Sequence, residues 1–263
     1  MLSQRNPHSR DELIQFEETG HRYKIQGDAS YKSVTGWVHD QFEAFDADRI
    51  IDKMMASKKW PKSPYFGKTK EEIKEQWSTN STAVACEGTR LHKDIENFMN
   101  QPVNTEKITH ADLLEHYQPN GNDSVEWQYF LRFVKNTPHL IPFRSEWVVF
   151  NEDIRICGTI DMVYEKADGT LMIYDWKRCK EISPNGWSKF SKTIQHIPDS
   201  NFWHYSLQLN MYKYILETKY DKVVSNICLV KLHPNNKSQT YEIMSLPTLK
   251  KEIEMFYNIY EQI

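Results

Sequence analysis

Residues 158–177, GTIDMVYEKADGTLMIYDWK, constrain this chain more than any other stretch, because they read as two β-strands joined by a tight turn with an acid on each strand. The first strand alternates Ile156, Gly158, Ile160 and Met162 on one side with Cys157, Thr159, Asp161 and Val163 on the other. Asp168-Gly169, inside the turn 166–170, supplies a position for φ > 0. The second strand, 171–177, places Leu171, Ile173, Asp175 and Lys177 on one face. With the turn centred on Asp168, Asp161 stands opposite Asp175, and a bulge at Gly169 would shift that pairing by one. Two carboxylates facing each other across a sheet repel. A divalent cation between them turns the repulsion into a binding site, since Mg²⁺ takes carboxylate oxygens and water. Lys177 adds an ammonium beside them, and two acids and a lysine about a hard cation suit phosphodiester hydrolysis. Taken alone, a solvated hairpin face accounts for the same three residues equally well.

With 263 residues the chain accommodates one large domain, or one domain with an extra lobe, and can bury a sizeable core. Eight Trp, 14 Tyr and 12 Phe argue against disorder. No run of 18 apolar residues occurs, so no transmembrane helix is expected. Residues 1–18 have no apolar signal-peptide core, and an intracellular protein is expected. The net charge of −3 gives no global nucleic-acid signature, although it is compatible with a locally basic groove. Cys86, Cys157, Cys179 and Cys228 lie far apart without C-x-x-C or zinc-site spacing and are expected as thiols, two of them packing in strands.

Upstream, 15–36 reads as a short hairpin in which Phe16, His21, Tyr23 and Ile25 straddle Thr19-Gly20, with Ser33 or Thr35 capping a helix from about Gly36. A helix over 46–57 starts at the N-cap Asp46. Residues 57–70 mix Lys58, Lys59, Lys62, Lys68 and Lys70 with Trp60, Tyr65 and Phe66, a texture suited to phosphates and stacked bases of a single strand and equally to a solvated loop. Thr69 and Glu72 form a capping box for a helix toward Trp77. A separate helix over 81–99 carries Ala85, Gly88, His92, Ile95, Glu96 and Met99 near one stripe, with Gly88 allowing close approach of another element. A short helix over 108–117, a helix over 125–135 capped by Ser124 and a strand over 143–150 lead into the hairpin. After it come basic residues around Trp187 and Phe190, a helix over 201–218 with Gln208 and Tyr212 four apart, strands over 223–233 and 239–244, and a final helix from Pro247.

The order of these parts resembles the RecB-type branch of the PD-(D/E)XK nuclease superfamily: Gly88-x-x-x-His92-x-x-x-Glu96 on a helix, a strand with Glu146, Gly158-x-Ile160-Asp161, Asp175-Trp176-Lys177, and Gln208-x-x-x-Tyr212 on a later helix. Within that branch it is most similar to mitochondrial genome maintenance exonucleases and related viral and phage exonucleases. The resemblance implies an α/β, restriction-endonuclease-like core, a central mixed β-sheet flanked by helices, over 81–263, with a helical N-terminal region over 1–80 arching over the site. It implies that His92, Asp161, Asp175 and the backbone carbonyl of Trp176 hold Mg²⁺ or Mn²⁺, that Lys177 is the catalytic lysine, and that Asp161 and Asp175 share in catalysis. Gln208 and Tyr212 would lie near the DNA, with Lys59 and Trp60 as further substrate contacts, while Glu96 and Glu146 would orient ligands. Ile160 stands where many relatives have proline, and Asp175 where many have glutamate. No cysteine cluster follows Lys177, so no iron–sulfur cluster is expected. The implied activity is metal-dependent hydrolysis of DNA, as an exonuclease on single strands or duplex ends, with a structure- or sequence-specific DNA or RNA endonuclease and a catalytically inactive nucleic-acid-binding domain as the alternatives. Replication or recombination proteins are the implied partners, and the oligomeric state is left open.

Overall fold

Short-range signals set most of the elements. The computed structural model describes residues 1–17, 22–190 and 194–260. Thr19, Gly20 and His21 of the expected first turn, and Lys192, lie outside them. Helix α1 (Leu2–Arg5) precedes strands β1 (Ile14–Glu17) and β2 (Arg22–Ile25), which pair antiparallel with Phe16 opposite Tyr23. Strand β3 (Lys32–Ser33) runs into α2 (Val34–Asp40), whose first turn is capped by Ser33 Oγ accepting from the Gly36 amide at 3.0 Å. Asp46 caps α3 (Ala47–Met55) in the same way, and the Thr69–Glu72 capping box opens α4 (Lys70–Met99). Then follow α5 (His110–His116), α6 (Val125–Asn136), β4 (Ile141–Asn151), β5 (Ile156–Glu165) and β6 (Leu171–Lys177). A small pair, β7 (Trp187–Phe190) and β8 (Pro198–Asp199), leads to α7 (Asn201–Lys219), β9 (Val224–Lys231), β10 (Glu242–Ser245) and α8 (Lys250–Tyr260).

The main sheet is mixed, in the order β10-β9-β6-β5-β3, with β4 on the other side of β5. The hairpin β5–β6 and the pair β4–β5 are antiparallel, whereas β9 returns parallel to β6 after α7, a connection that needs a helical crossover. One face packs Leu171, Ile173, Ile156 and Ile160 against α2, α7 and α8. The other packs Met162, Tyr164, Met172 and Trp176 against α6 and the second half of α4. At the start of β5, the hairpin β1–β2 covers that second face with Tyr23 and Ile25 against Phe150 and Cys157. The N-terminal segment closes the outer edge of β4: Asn6 Nδ2 donates to the Phe143 carbonyl at 2.8 Å, and Arg144 Nη1 donates to the Asn6 carbonyl at 2.9 Å.

Three expectations change. Residues 70–99 form one helix rather than two, because the polar run 78–82 contains no glycine or proline to stop it; residue 80 lies within it. Gly88 has no close neighbour, since a Cβ there would meet nothing within 4 Å, and over 81–99 α4 buries side chains only from Leu91 onward. Finally, β5 does not keep strict alternation: Ile156, Ile160 and Val163 pack on one face, but Met162 and Tyr164 on the other. The faces therefore slip by one residue around Asp161, directly beside Glu146 of β4, which takes φ 46°. A non-glycine residue in that region inside a strand is costly and concentrates at sites of function.

Residues 43–90 make a separate excursion. The chain leaves the first core cluster at Phe42 and rejoins the second at Leu91, and between them only Ile51 and Ile73 are buried. Helices α3 and the first half of α4 hold together through those two residues, the ion pairs Lys70–Asp52 and Lys74–Asp48, and Trp77 against Phe45 and Tyr65. Ile73→Ala should remove roughly 2–5 kcal/mol of local stability. Hydrogen exchange would then quicken across α3 and the start of α4 while the amides of β5 and α7 keep their protection.

Candidate active site

The site forms where β5 and β6 part. Their ladder runs from Glu165–Leu171 to Met162–Tyr174, which sets Asp161 opposite Asp175. Beyond it the Trp176 amide no longer pairs with β5 backbone and donates instead to Asp161 Oδ2 at 2.9 Å. The Trp176 carbonyl is bonded to His92 Nε2 at 3.1 Å. An imidazole donating through Nε2 presents the Nδ1 lone pair on its other side. There Nδ1 lies 3.6 Å from Asp161 Oδ2 and 4.0 Å from Glu146 Oε1. These three ligand atoms fall within 4.8 Å of one another.

Each donor comes from a different element: His92 from the start of the buried half of α4, Glu146 from the distorted point of β4, Asp161 from the slip in β5. Asp175 is buried with 1% of its surface exposed, and its Oδ2, 2.5 Å from the Lys177 ammonium, has no other close polar partner among the described residues. That oxygen is charge-paired yet keeps lone-pair capacity for a ligand. Burial, then Asp161, pushes the Asp175 carboxyl up to about 6, against the pull of Lys177. Burial, then Asp161, Glu96 and Asp175, pushes Glu146 up to about 9. For Lys177, burial works against the charged form, but Asp175 and Asp161 outweigh it and hold its pKa above the ordinary lysine value. One imidazole nitrogen, carboxylate oxygens and a buried acceptor short of partners form a donor set that fits a divalent cation.

Of the residues singled out in the sequence, the fold brings His92, Glu146, Asp161, Asp175, Trp176 and Lys177 together. The three donors grouped most tightly include Glu146 rather than Asp175. Glu96 pairs with Lys93 Nζ at 2.8 Å and stands one turn along α4 from His92. From the opposite face, Tyr212 on α7 is buried, and burial holds its phenol well above its usual pKa, with Gln208 pulling the other way. Its hydroxyl reaches over Gly158, where a Cβ would lie 2.8 Å away. Glycine at that position is what lets the tyrosine approach β5. Lys59 and Trp60 belong to the 43–90 excursion; Lys59 is exposed and Trp60 half-buried against Phe66. Sequence reasoning missed Tyr205, whose ring faces Lys177 Nζ at 4.6 Å, because nothing in the spacing of α7 marks it. It also missed Tyr23, whose hydroxyl hydrogen-bonds Thr159 Oγ1 at 2.9 Å, two residues from Asp161.

Across residues 37–256 the chain matches the model of the PD-(D/E)XK nuclease superfamily. No curated protein matches it. No helix among the described residues is long and apolar enough to cross a membrane.

Glu146 and Asp175 bind protons more tightly in the folded chain than when unfolded. Their contribution to stability is therefore complete below about pH 4 and is lost as pH rises through about 6 for Asp175 and about 9 for Glu146. Thermal unfolding of the metal-free protein should show falling Tm from pH 5 to 9, and millimolar Mg²⁺ or Mn²⁺ should recover more of it at pH 8 than at pH 5. Glu146→Gln should raise Tm at pH 8 without metal and shrink the metal-induced rise. Gly158→Ala, which drives a methyl group into Tyr212, should cost about 1–3 kcal/mol in urea unfolding, and Tyr212→Phe should relieve part of that loss.

Proposed function

The chain belongs to the PD-(D/E)XK nuclease superfamily, and on that premise we propose that it is a metal-dependent deoxyribonuclease of the RecB-type branch, acting as an exonuclease on DNA ends or single strands. The observation that carries this reading is the convergence of His92, Glu146, Asp161 and the Asp175–Lys177 pair at the parting of β5 and β6. His92, Asp161, Asp175 and Glu146 would hold Mg²⁺ or Mn²⁺, with the Trp176 carbonyl fixing the His92 ring. Bound there, the cation supplies Lewis acidity to the phosphodiester and its attacking water.

The protein's own residues do the rest. Asp161 and Asp175 keep Lys177 as an ammonium, so its part is to donate to a phosphate oxygen and stabilise charge that builds there, rather than to accept a proton. Asp161, held by the Trp176 amide, cannot swing away from the cleft. Tyr212 and Gln208 line the α7 side of the same end of the sheet.

The 43–90 excursion supports end-dependent action. One foot is Phe42, whose ring lies 4.1 Å from that of His204, one turn before Gln208 on α7. The other is Leu91, next to His92. Running from the α7-side core at Phe42 to the residue before His92, the excursion would, in this reading, close a loop of backbone over the site. Its exposed Lys58, Lys59 and Lys62, with exposed Phe45 and Phe66, suit phosphates and unstacked bases. A single strand with a free end passes beneath such a loop, whereas a closed circle does not.

With Mg²⁺ or Mn²⁺, end-labelled linear single-stranded DNA should be degraded from an end, circular single-stranded DNA should resist, and EDTA should abolish the reaction. Lys177→Ala and Asp175→Ala should each lower kcat at least 100-fold. Cutting of circles as fast as linear strands would remove the exonuclease reading, and undiminished cutting by Lys177→Ala would remove the assignment of the site.

A further inference from the structure

Lys177 is held on two sides. Asp175 Oδ2 lies 2.5 Å from its Nζ, and the ring of Tyr205 lies 4.6 Å away. The two contacts respond differently to a divalent cation. A carboxylate that turns its lone pairs to a cation offers less to the ammonium beside it, and the new positive charge repels that ammonium. An aromatic ring attracts the ammonium through its quadrupole and is not drawn into carboxylate ligation. Tyr205 is itself fixed. It packs against the α7-side core, and burial pushes its phenol up to about 12, so the ring stays neutral. It stands three residues before Gln208 on α7, outside the Gln208-x-x-x-Tyr212 pattern.

We propose that Tyr205 is a positioning residue for Lys177: its ring keeps the ammonium in the cleft once Asp175 engages a divalent cation. The inference rests on the nuclease reading above for its role in turnover, but the contact it describes is measurable without turnover. The ring is what matters, rather than the hydroxyl.

The test uses full-length protein with ¹³C-ε-labelled lysine, the Lys177 signal being assigned by Lys177→Arg. A ring over the ammonium shifts the ε-CH₂ resonance upfield. That shift should persist on saturation with Mg²⁺ in the wild type and in Tyr205→Phe, and should disappear in Tyr205→Leu. In cleavage assays Tyr205→Leu should lower kcat about 10-fold with KM for an oligonucleotide within two-fold, and Tyr205→Phe should restore most of the loss. In a Lys177→Ala background, Tyr205→Leu should cost nothing further. Movement of the wild-type resonance to the ordinary lysine position on adding Mg²⁺, or multiplication of the two mutational effects, would overturn the proposal. A ring-shifted, Mg²⁺-resistant signal in a wild type that cuts no nucleic acid would leave the positioning of Lys177 standing and remove the nuclease reading instead.

Discussion

One hydrogen bond organises the end of the sheet. When β5 and β6 part after Met162 and Tyr174, the Trp176 amide must find an acceptor other than the facing strand, and it takes the Asp161 carboxylate. A buried amide without a partner is costly, so this exchange fixes the aspartate as firmly as it satisfies the peptide. The carbonyl of the same residue, Trp176, then faces α4 and accepts from His92 Nε2, which orients that ring. A backbone ladder that simply continued would leave Asp161 free to turn outward and His92 without a tautomer-setting partner. The polar cluster is thus a consequence of where the ladder stops.

That arrangement sets acids against one another in a partly buried place. Glu146, Asp161 and Asp175 come from three adjacent strands, and Asp175 is paired with Lys177. Burial first, and then the neighbouring acids, raise the carboxyl pKa values of Glu146 and Asp175, and the φ of 46° at Glu146 adds backbone strain. Apolar packing on both faces offsets it. Trp176 lies edge-on to Phe130 and Phe133 at 5.7 and 5.6 Å, and Leu171 and Ile173 pack into the core under α7. Stability is therefore concentrated behind the site, and the site itself is the strained part, as is common where charges must meet a ligand.

The excursion over 43–90 follows a different logic. A long stretch of α4 runs through solvent with polar and small residues all round, which a helix tolerates when both its ends are anchored. One end is fixed by Ile73 against α3, the other by Leu91 and Ile95 in the core. The segment joins the two core clusters and buries only Ile51 and Ile73 between them.

What the sequence determined by itself is what depends on neighbours along the chain. The turn at Asp168-Gly169, the register that sets Asp161 opposite Asp175, the shared face of Asp175 and Lys177, and the caps at Ser33, Asp46, Thr69 and Ser124 all follow from spacing and turn chemistry within a few residues. The order of motifs also gave the superfamily. Tertiary structure alone decided the slip of β5 at Asp161, the entry of Glu146 among the donors, the continuity of α4 and the ring of Tyr205 over Lys177. The reason is physical. A period-two pattern cannot report a slip imposed by a facing strand, and a left-handed glutamate carries no local signal. The side chains that share one cleft lie on α4, β4, β5, β6 and α7, brought together only by burial of the two apolar faces between them.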